Sequence, residues 1–172
     1  QYNQNRFTIV PVNLRKVKPE NVDLTGIDTV VHFAGTQQLN SIPDKIYFNV
    51  NYDITRQLAI QAEAGNVRQF IYMSSAKVYG EPESVFNEGS KCLTTDAYGD
   101  SKLKAETFLL SLKRIKVAII RLPLIYGPNA KGNMLRLLAL AYKKIPLPLG
   151  NTENARSMVF IDNLIELINK II

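Results

Sequence analysis

The chain has 172 residues, of which 46% are hydrophobic and 21% charged, the balance of one globular domain with a substantial core. Its net charge of +6 is scattered, with short clusters only at Lys113, Arg114 and Lys116 and at Lys143 and Lys144, and such scatter reads as a solvated basic surface. The single cysteine, Cys92, excludes an internal disulfide, and no apolar run approaches the eighteen or so residues of a membrane span.

In chain order, residues 7–12 (FTIVPV) predict a strand that gives way to a loop at Asn13 and Leu14. Residues 15–28 are polar and predict a turn or a brief helix. Residues 29–34 (TVVHFA) form an unbroken apolar run stopped by Gly35, the mark of a strand covered on both faces. From 43 to 64 the apolar positions Ile46, Val50, Ile54, Leu58 and Ala62 fall four apart, which predicts one helix stopped by Gly65. Residues 69–75 predict the next strand, followed by a long polar loop. Asp96 is placed to cap a helix running to about 113, with Leu103, Leu109, Leu110 and Leu112 as its buried positions.

Residues 116–121 (KVAIIR) predict a further strand, and Pro123, Gly127 and Pro128 then predict a loop. A helix over 131–144, a short strand over 157–161 and a final helix capped by Asp162 complete the pattern. Strands alternating with helices at this spacing predict an α/β fold with a doubly wound parallel sheet of the Rossmann-like kind. Ligands of such sheets bind beyond the carboxyl ends of the strands. Ala34–Gly35, Ser74–Ser75 and the segment 121–123 all fall there.

The stretch 74–102 holds the groups suited to chemistry. Tyr98 and Lys102 stand four apart, so on a helix their side chains share one face. An ammonium beside a phenol is expected to lower a pKa that starts near about 10. A serine hydroxyl at the same point would hold a substrate oxygen. Such a group suits proton transfer at a carbinol, the partner step to hydride transfer.

These residues come in a familiar order: Asn13-Leu14, VVHFAG at 30–35, Asn49, SSAKVYG at 74–80, Tyr98-x-x-x-Lys102, RLPLIYGP at 121–128 and RSMVFID at 156–162. In that order the chain resembles the extended short-chain dehydrogenase/reductase family, the NAD-dependent nucleotide-sugar epimerases, dehydratases and reductases. SSAKV together with LPLG at 147–150 is similar to the branch acting on UDP-hexoses and their 4-keto forms in surface-polysaccharide synthesis.

The resemblance implies NAD or NADP as cofactor, a UDP-hexose as substrate, a cytoplasmic location and a possible homodimer. It implies catalytic roles for Ser75, Tyr98 and Lys102. Cofactor contacts are implied for Asn13, Leu14, Phe33, Ala34, Gly35, Asn49, Ser74, Tyr98, Lys102 and Pro123. Substrate contacts are implied for Ser75, Asn133 and Arg156, and no metal is expected. His32, inside a strand, reads as a packing residue. Leu124 stands where some epimerases carry a substrate-binding asparagine, which leaves the choice of sugar open.

The family pattern begins with a strand and a glycine-rich turn. None of the nine glycines here stands in a Gly-x-Gly or Gly-x-x-Gly pair, and the first methionine is Met73. The expectation is therefore an internal fragment that binds the dinucleotide poorly. It would comprise a partial dinucleotide-binding domain over 1–128 and the start of a sugar-nucleotide region over 129–172. The activity implied is a 4-epimerase. A 4-ketoreductase or dehydratase is the alternative, and a non-catalytic nucleotide- or nucleic-acid-binding relative is the alternative of another class.

Overall fold

Three short β-rich segments pair into one parallel sheet in the computed structural model, which describes residues 22–38, 42–81, 85–128, 139–144 and 156–172. The strands are β1 (Thr29–His32), β2 (Gln69–Ser75) and β3 (Lys116–Leu122), in the order β1-β2-β3. β2 is central, with Tyr72 opposite both His32 and Ile119. Its apolar run reflects that position. Phe70 and Tyr72 point to one face and Ile71 and Met73 to the other, as the two-residue period of a strand requires. Both faces are covered, so every one of these side chains is buried.

The first face is covered by two helices, α2 (Ile54–Ala64) and α3 (Ala97–Ser111), through Leu58, Ala59, Ala62, Ala105 and Leu109. The second is covered by the last helix, α4 (Ile161–Ile171), through Leu164 and Ile168. The expected class, an α/β fold with a parallel sheet, is the one observed.

The predicted helix over 43–64 divides into α1 (Asp44–Tyr47), a π-helical turn (Phe48–Asp53) and α2. Ile54, Leu58 and Ala62 are buried as the ladder predicts, while Ile46 and Val50 are half-buried. A π-turn widens the helix by one residue and rotates the residues beyond it about the axis. Here Asn51 points inward, fully buried, while Asn49 stays exposed. The helix does end at Gly65, whose N–H bonds Gln61 O at 2.8 Å, but the left-handed residue is Asn66, with φ 58°.

Other expectations need correction. β1 ends at His32, short of Ala34, and Phe33 is 60% exposed beyond it. α3 buries Leu109, but Leu110 is 61% exposed, because adjacent residues of a helix lie about 100° apart and cannot both face the sheet. Within the segment read as a loop, Leu124–Tyr126 forms β4, which pairs in parallel with β5 (Met158–Phe160) in a second sheet. Its partner lies far along the chain, so local punctuation by Pro123, Gly127 and Pro128 hid it. Asp162 does not cap α4; Phe160 holds the cap position without a side-chain bond, and Asp162 sits in the first turn. There its charge complements the helix dipole. Of the helix predicted over 131–144, residues 139–142 are helical and 131–138 lie outside the described residues. The strand predicted over 7–12 also lies outside them.

Truncating the buried α3 leucine separates these positions experimentally. Leu109→Ala should cost ~2–5 kcal/mol through lost burial and a cavity. Leu110→Ala should change stability by less than ~0.5 kcal/mol. Urea denaturation of the two variants measures the difference.

Candidate functional site

Ser74 and Ser75 are the last two residues of β2, beside Arg121 and Leu122 of β3. Ser75 is extended, with φ −141° and ψ 145°, and its Oγ accepts Lys77 N–H at 3.2 Å, starting a 3-10 turn over Ala76–Tyr79. Asp96 starts α3: its Oδ1 accepts Gly99 N–H at 2.7 Å, the predicted N-cap bond. Its Oδ2 accepts Gln38 Nε2 at 2.9 Å, which ties the loop after β1 to the same helix end. A Cβ at Gly99 would lie 2.9 Å from Lys77 O, so α3 begins flush against the 3-10 turn. That close approach brings Tyr98 to the end of β2.

Tyr98 is half-buried beside the Ser75 side chain and meets the Tyr47 ring edge-on at 5.9 Å. Burial pushes its phenol above the ordinary value of 10, and the Ser75 bond pulls the other way. The expected depression by Lys102 does not enter, for a geometric reason. Lys102 turns under the sheet end and is only 5% exposed; its Nζ donates to Met73 O at 2.9 Å and lies 4.8 Å from the Tyr72 ring centre. Burial lowers the Lys102 pKa to about 8, with the Glu106 charge opposing the fall.

Sequence reasoning named Asn49 and missed Asn51. Asn51 Oδ1 accepts Thr36 N–H at 2.7 Å, while its Nδ2 donates to Thr36 O at 3.3 Å and to Ser101 Oγ at 3.0 Å. Ser101 Oγ in turn donates to Tyr98 O at 2.7 Å. One fully buried amide thus fastens the segment after β1 to the first turn of α3. Two asparagines two apart in a helix face different sides, and the π-turn decides which faces in. A Cβ at Gly35 would meet Asn51 Oδ1 at 3.1 Å and Lys102 Nζ at 3.3 Å, so the bare backbone there makes room for both.

Beneath this layer, His32 Nε2 lies 2.9 Å from Thr55 Oγ1, which donates to Asn51 O at 2.8 Å. With that hydroxyl proton committed, the bond to His32 is donated by Nε2–H. Burial first, and the Lys102 charge second, pull the His32 pKa down to about 4. It is a neutral packing residue stacked on Tyr72 at 5.9 Å, as the sequence implies.

The remaining candidates are spread over the same sheet end and its flanks. Phe33, Ala34 and Gly35 are exposed at the carboxyl end of β1. Ser74 is 3% exposed and its hydroxyl donates to Glu106, so Ser75 is the serine that faces Tyr98. Pro123 is half-buried between β3 and β4, and Leu124 is 46% exposed. Arg156 is exposed just before β5. Asn13, Leu14 and Asn133 lie outside the described residues. Among the described residues no helix is long and apolar enough to cross a membrane.

The residues present fit the nicotinamide end of a dinucleotide. Lys102 has three ammonium protons and spends one on Met73 O. The Thr36 Oγ1 is buried without a partner beside Gly35. The three residues that follow β1 are exposed, which leaves room for a flat ring or a ribose to approach.

A parallel α/β sheet with a Ser–Tyr–Lys cluster at its carboxyl end defines a protein of the Rossmann-like class. A family model described as "NAD dependent epimerase/dehydratase family" matches residues 6–172, and the chain belongs to that family. A UDP-glucose 4-epimerase of Vibrio cholerae is 39% identical over 156 residues, covering 84% of this chain and 48% of that protein. An Escherichia coli O157:H7 protein named as an N-acetyl-alpha-D-glucosaminyl-diphospho-ditrans,octacis-undecaprenol 4-epimerase is 30% identical over 150 residues, covering 84% of this chain and 45% of that protein. The chain therefore spans about half the length of these curated relatives. The UDP-glucuronic acid 4-epimerase of Bacillus cereus, solved with UDP-glucuronic acid and NAD, superposes with a TM-score of 0.78 at 23% identity over 93% of this chain and 54% of that one. At that identity the likeness concerns the fold.

Two measurements test the site's framework. Asn51→Ala should cost ~1–3 kcal/mol by leaving the Thr36 N–H unsatisfied, and denaturant titration reads it. For His32 the folded pKa lies below the unfolded one, so its contribution is whole above pH ~6.5 and is lost as pH falls toward about 4. The total is ~3 kcal/mol. Stability against pH should fall through that window, and His32→Gln should flatten the slope; an equal slope in the variant would refute the assignment.

Proposed function

We propose that this chain forms the catalytic part of an NAD(P)-dependent nucleotide-sugar epimerase, acting at C4 of a UDP-hexose. The observation that carries the reading is the Ser75 hydroxyl beside the Tyr98 phenol at the sheet's carboxyl end, with Lys102 one helical turn along α3. The 39% identity to a protein named UDP-glucose 4-epimerase supports the substrate class.

Ser75 donates a hydrogen bond to the sugar's C4 oxygen, and Tyr98, as phenolate, removes the proton from that hydroxyl. When bound, the nicotinamide would supply the hydride acceptor and donor for C4. Tyr98 restores the proton as the carbonyl is reduced, so the sugar leaves with C4 inverted and the cofactor unchanged. Lys102 would hold the nicotinamide ribose with its uncommitted ammonium protons, and the exposed residues Phe33, Ala34 and Gly35 would leave room for the ring.

The family resemblance adds Asn13, Leu14, Asn49 and Pro123 as cofactor contacts, and Asn133 and Arg156 as contacts of the nucleotide diphosphate. An arginine fork suits that group. In this reading residues 1–128 serve the cofactor and 129–172 begin the sugar-nucleotide region. The protein works on a soluble nucleotide sugar in the cytoplasm, as a homodimer.

Burial that holds the Tyr98 phenol up disfavours the phenolate, so turnover should rise with pH as Tyr98 loses its proton. In the protein that carries this chain, Tyr98→Phe should lower kcat by ~100-fold or more, the scale of a lost acid–base group, with UDP-hexose affinity nearly unchanged. Isothermal titration and a coupled epimerase assay give the two readings, and an undiminished kcat removes Tyr98 from the mechanism. Stoichiometric consumption of NAD(P)H, in place of catalytic use, would assign the chain to the 4-ketoreductases instead.

A further inference from the structure

The most buried ion pair among the described residues takes no part in the proton and hydride transfers of this reaction. Glu106 lies on α3 one turn after Lys102 and its side chain is 1% exposed. Its Oε1 accepts the Ser74 hydroxyl and Arg121 Nε at 3.2 Å, and its Oε2 accepts Arg121 Nη2 at 2.7 Å and Nε at 3.1 Å. Arg121 Nη1 donates to Tyr79 Oη at 2.7 Å, and the guanidinium sits 4.9 Å from the Tyr79 ring centre.

One carboxylate thereby ties together α3, the end of β2, the end of β3 and the 3-10 turn. These elements carry Tyr98, Lys102 and Ser75. Ser74, which Glu106 holds, directly follows Met73, whose carbonyl holds Lys102. A buried ion pair contributes little net stability compared with apolar residues of the same volume. Its placement is better accounted for by what it positions.

We propose that Glu106 is a positioning residue of the reaction: clamped by Arg121 and Ser74, it fixes the strand end that receives Lys102 and supplies the negative charge that keeps Lys102 an ammonium. The proposal rests on the epimerase reading of the Ser75, Tyr98 and Lys102 site. The groups around Lys102 are Glu106 one turn along its own helix, Tyr72 on β2 and His32 on β1, while Arg121 of β3 is held by Glu106 and Tyr98 lies against Tyr47 of α1. Glu106 is the one carboxylate in this set. His32 is neutral above about pH 4, and burial holds the Tyr72 phenol well above its ordinary value. The Arg121 charge is shared with Glu106 through the fork and lies nearer the surface, its side chain 22% exposed. The direction of the Glu106 effect on Lys102 is upward, against the fall that burial imposes.

The test is an NMR titration of the cofactor-free protein carrying 13Cε-labelled lysine, with the Lys102 signal assigned by its loss in Lys102→Arg. The wild-type midpoint should lie near 8. Glu106→Gln should move it down by ~1 unit or more, the usual effect of losing a nearby opposite charge. Glu106→Asp, which keeps the charge, should restore most of it. If the single variant does not fold, Glu106→Gln is made in an Arg121→Met background, where the Lys102 midpoint should lie below that of Arg121→Met alone. An unchanged midpoint in either folded Gln variant overturns the proposal. The readout needs no activity, so it separates the two claims: a shifted midpoint with Tyr98→Phe fully active would sustain the Glu106 assignment and sink the epimerase reading.

Discussion

The ammonium of Lys102, 5% exposed under the end of a parallel sheet, is the constraint around which the neighbouring residues are arranged. Moving such a charge out of water costs several kcal/mol unless it is met by dipoles and counter-charge. The Met73 carbonyl, the face of Tyr72 and the carboxylate one turn along the helix meet it here. A Cβ at Gly35 would press on Asn51 Oδ1 and the amine, at 3.1 and 3.3 Å, so the glycine gives both of them room. A lysine on the helix surface would need none of these.

The same arrangement explains why the sheet and the site cannot be separated. β2 buries Phe70 and Tyr72 on one face and Ile71 and Met73 on the other, and then runs directly into Ser74 and Ser75. α3 packs Leu109 and Ala105 into the core at one end and presents Tyr98 at the other, with Lys102 between them. Asp96 and Asn51 fix the start of that helix to the loop after β1 from two directions. The strand end, helix start and loop are thus placed by side-chain bonds as well as by the core.

Much of this is legible in the sequence because the signals are local. The unbroken run Phe70-Ile71-Tyr72-Met73 marks a two-sided strand, Asp96 marks a helix start, and Tyr98 with Lys102 marks one helical face. What is not legible depends on partners distant in the chain. β4 forms because Leu124–Tyr126 finds Met158–Phe160, although its own flanks read as a loop. Asn51 is the asparagine that fastens the segment after β1 to α3, lying inward on a π-turn, and helical spacing alone favours neither it nor Asn49. The turn of Lys102 toward Met73, away from an independent effect on Tyr98, comes from a carbonyl on another element. The Glu106–Arg121 pair is open to detection, since a carboxylate one turn after Lys102 and on its buried face requires a cation, and a strand-end arginine is available.

The central claim is that Ser75, Tyr98 and Lys102 form one reacting centre for a nucleotide sugar. The most direct measurement is a crystal structure of the protein that carries this chain with NAD and a UDP-hexose bound. The account predicts the sugar's C4 oxygen within hydrogen-bonding distance of both Ser75 Oγ and Tyr98 Oη, with Lys102 Nζ on the nicotinamide ribose. A sugar seated with C4 away from this pair, or a ribose held by other residues, would contradict it.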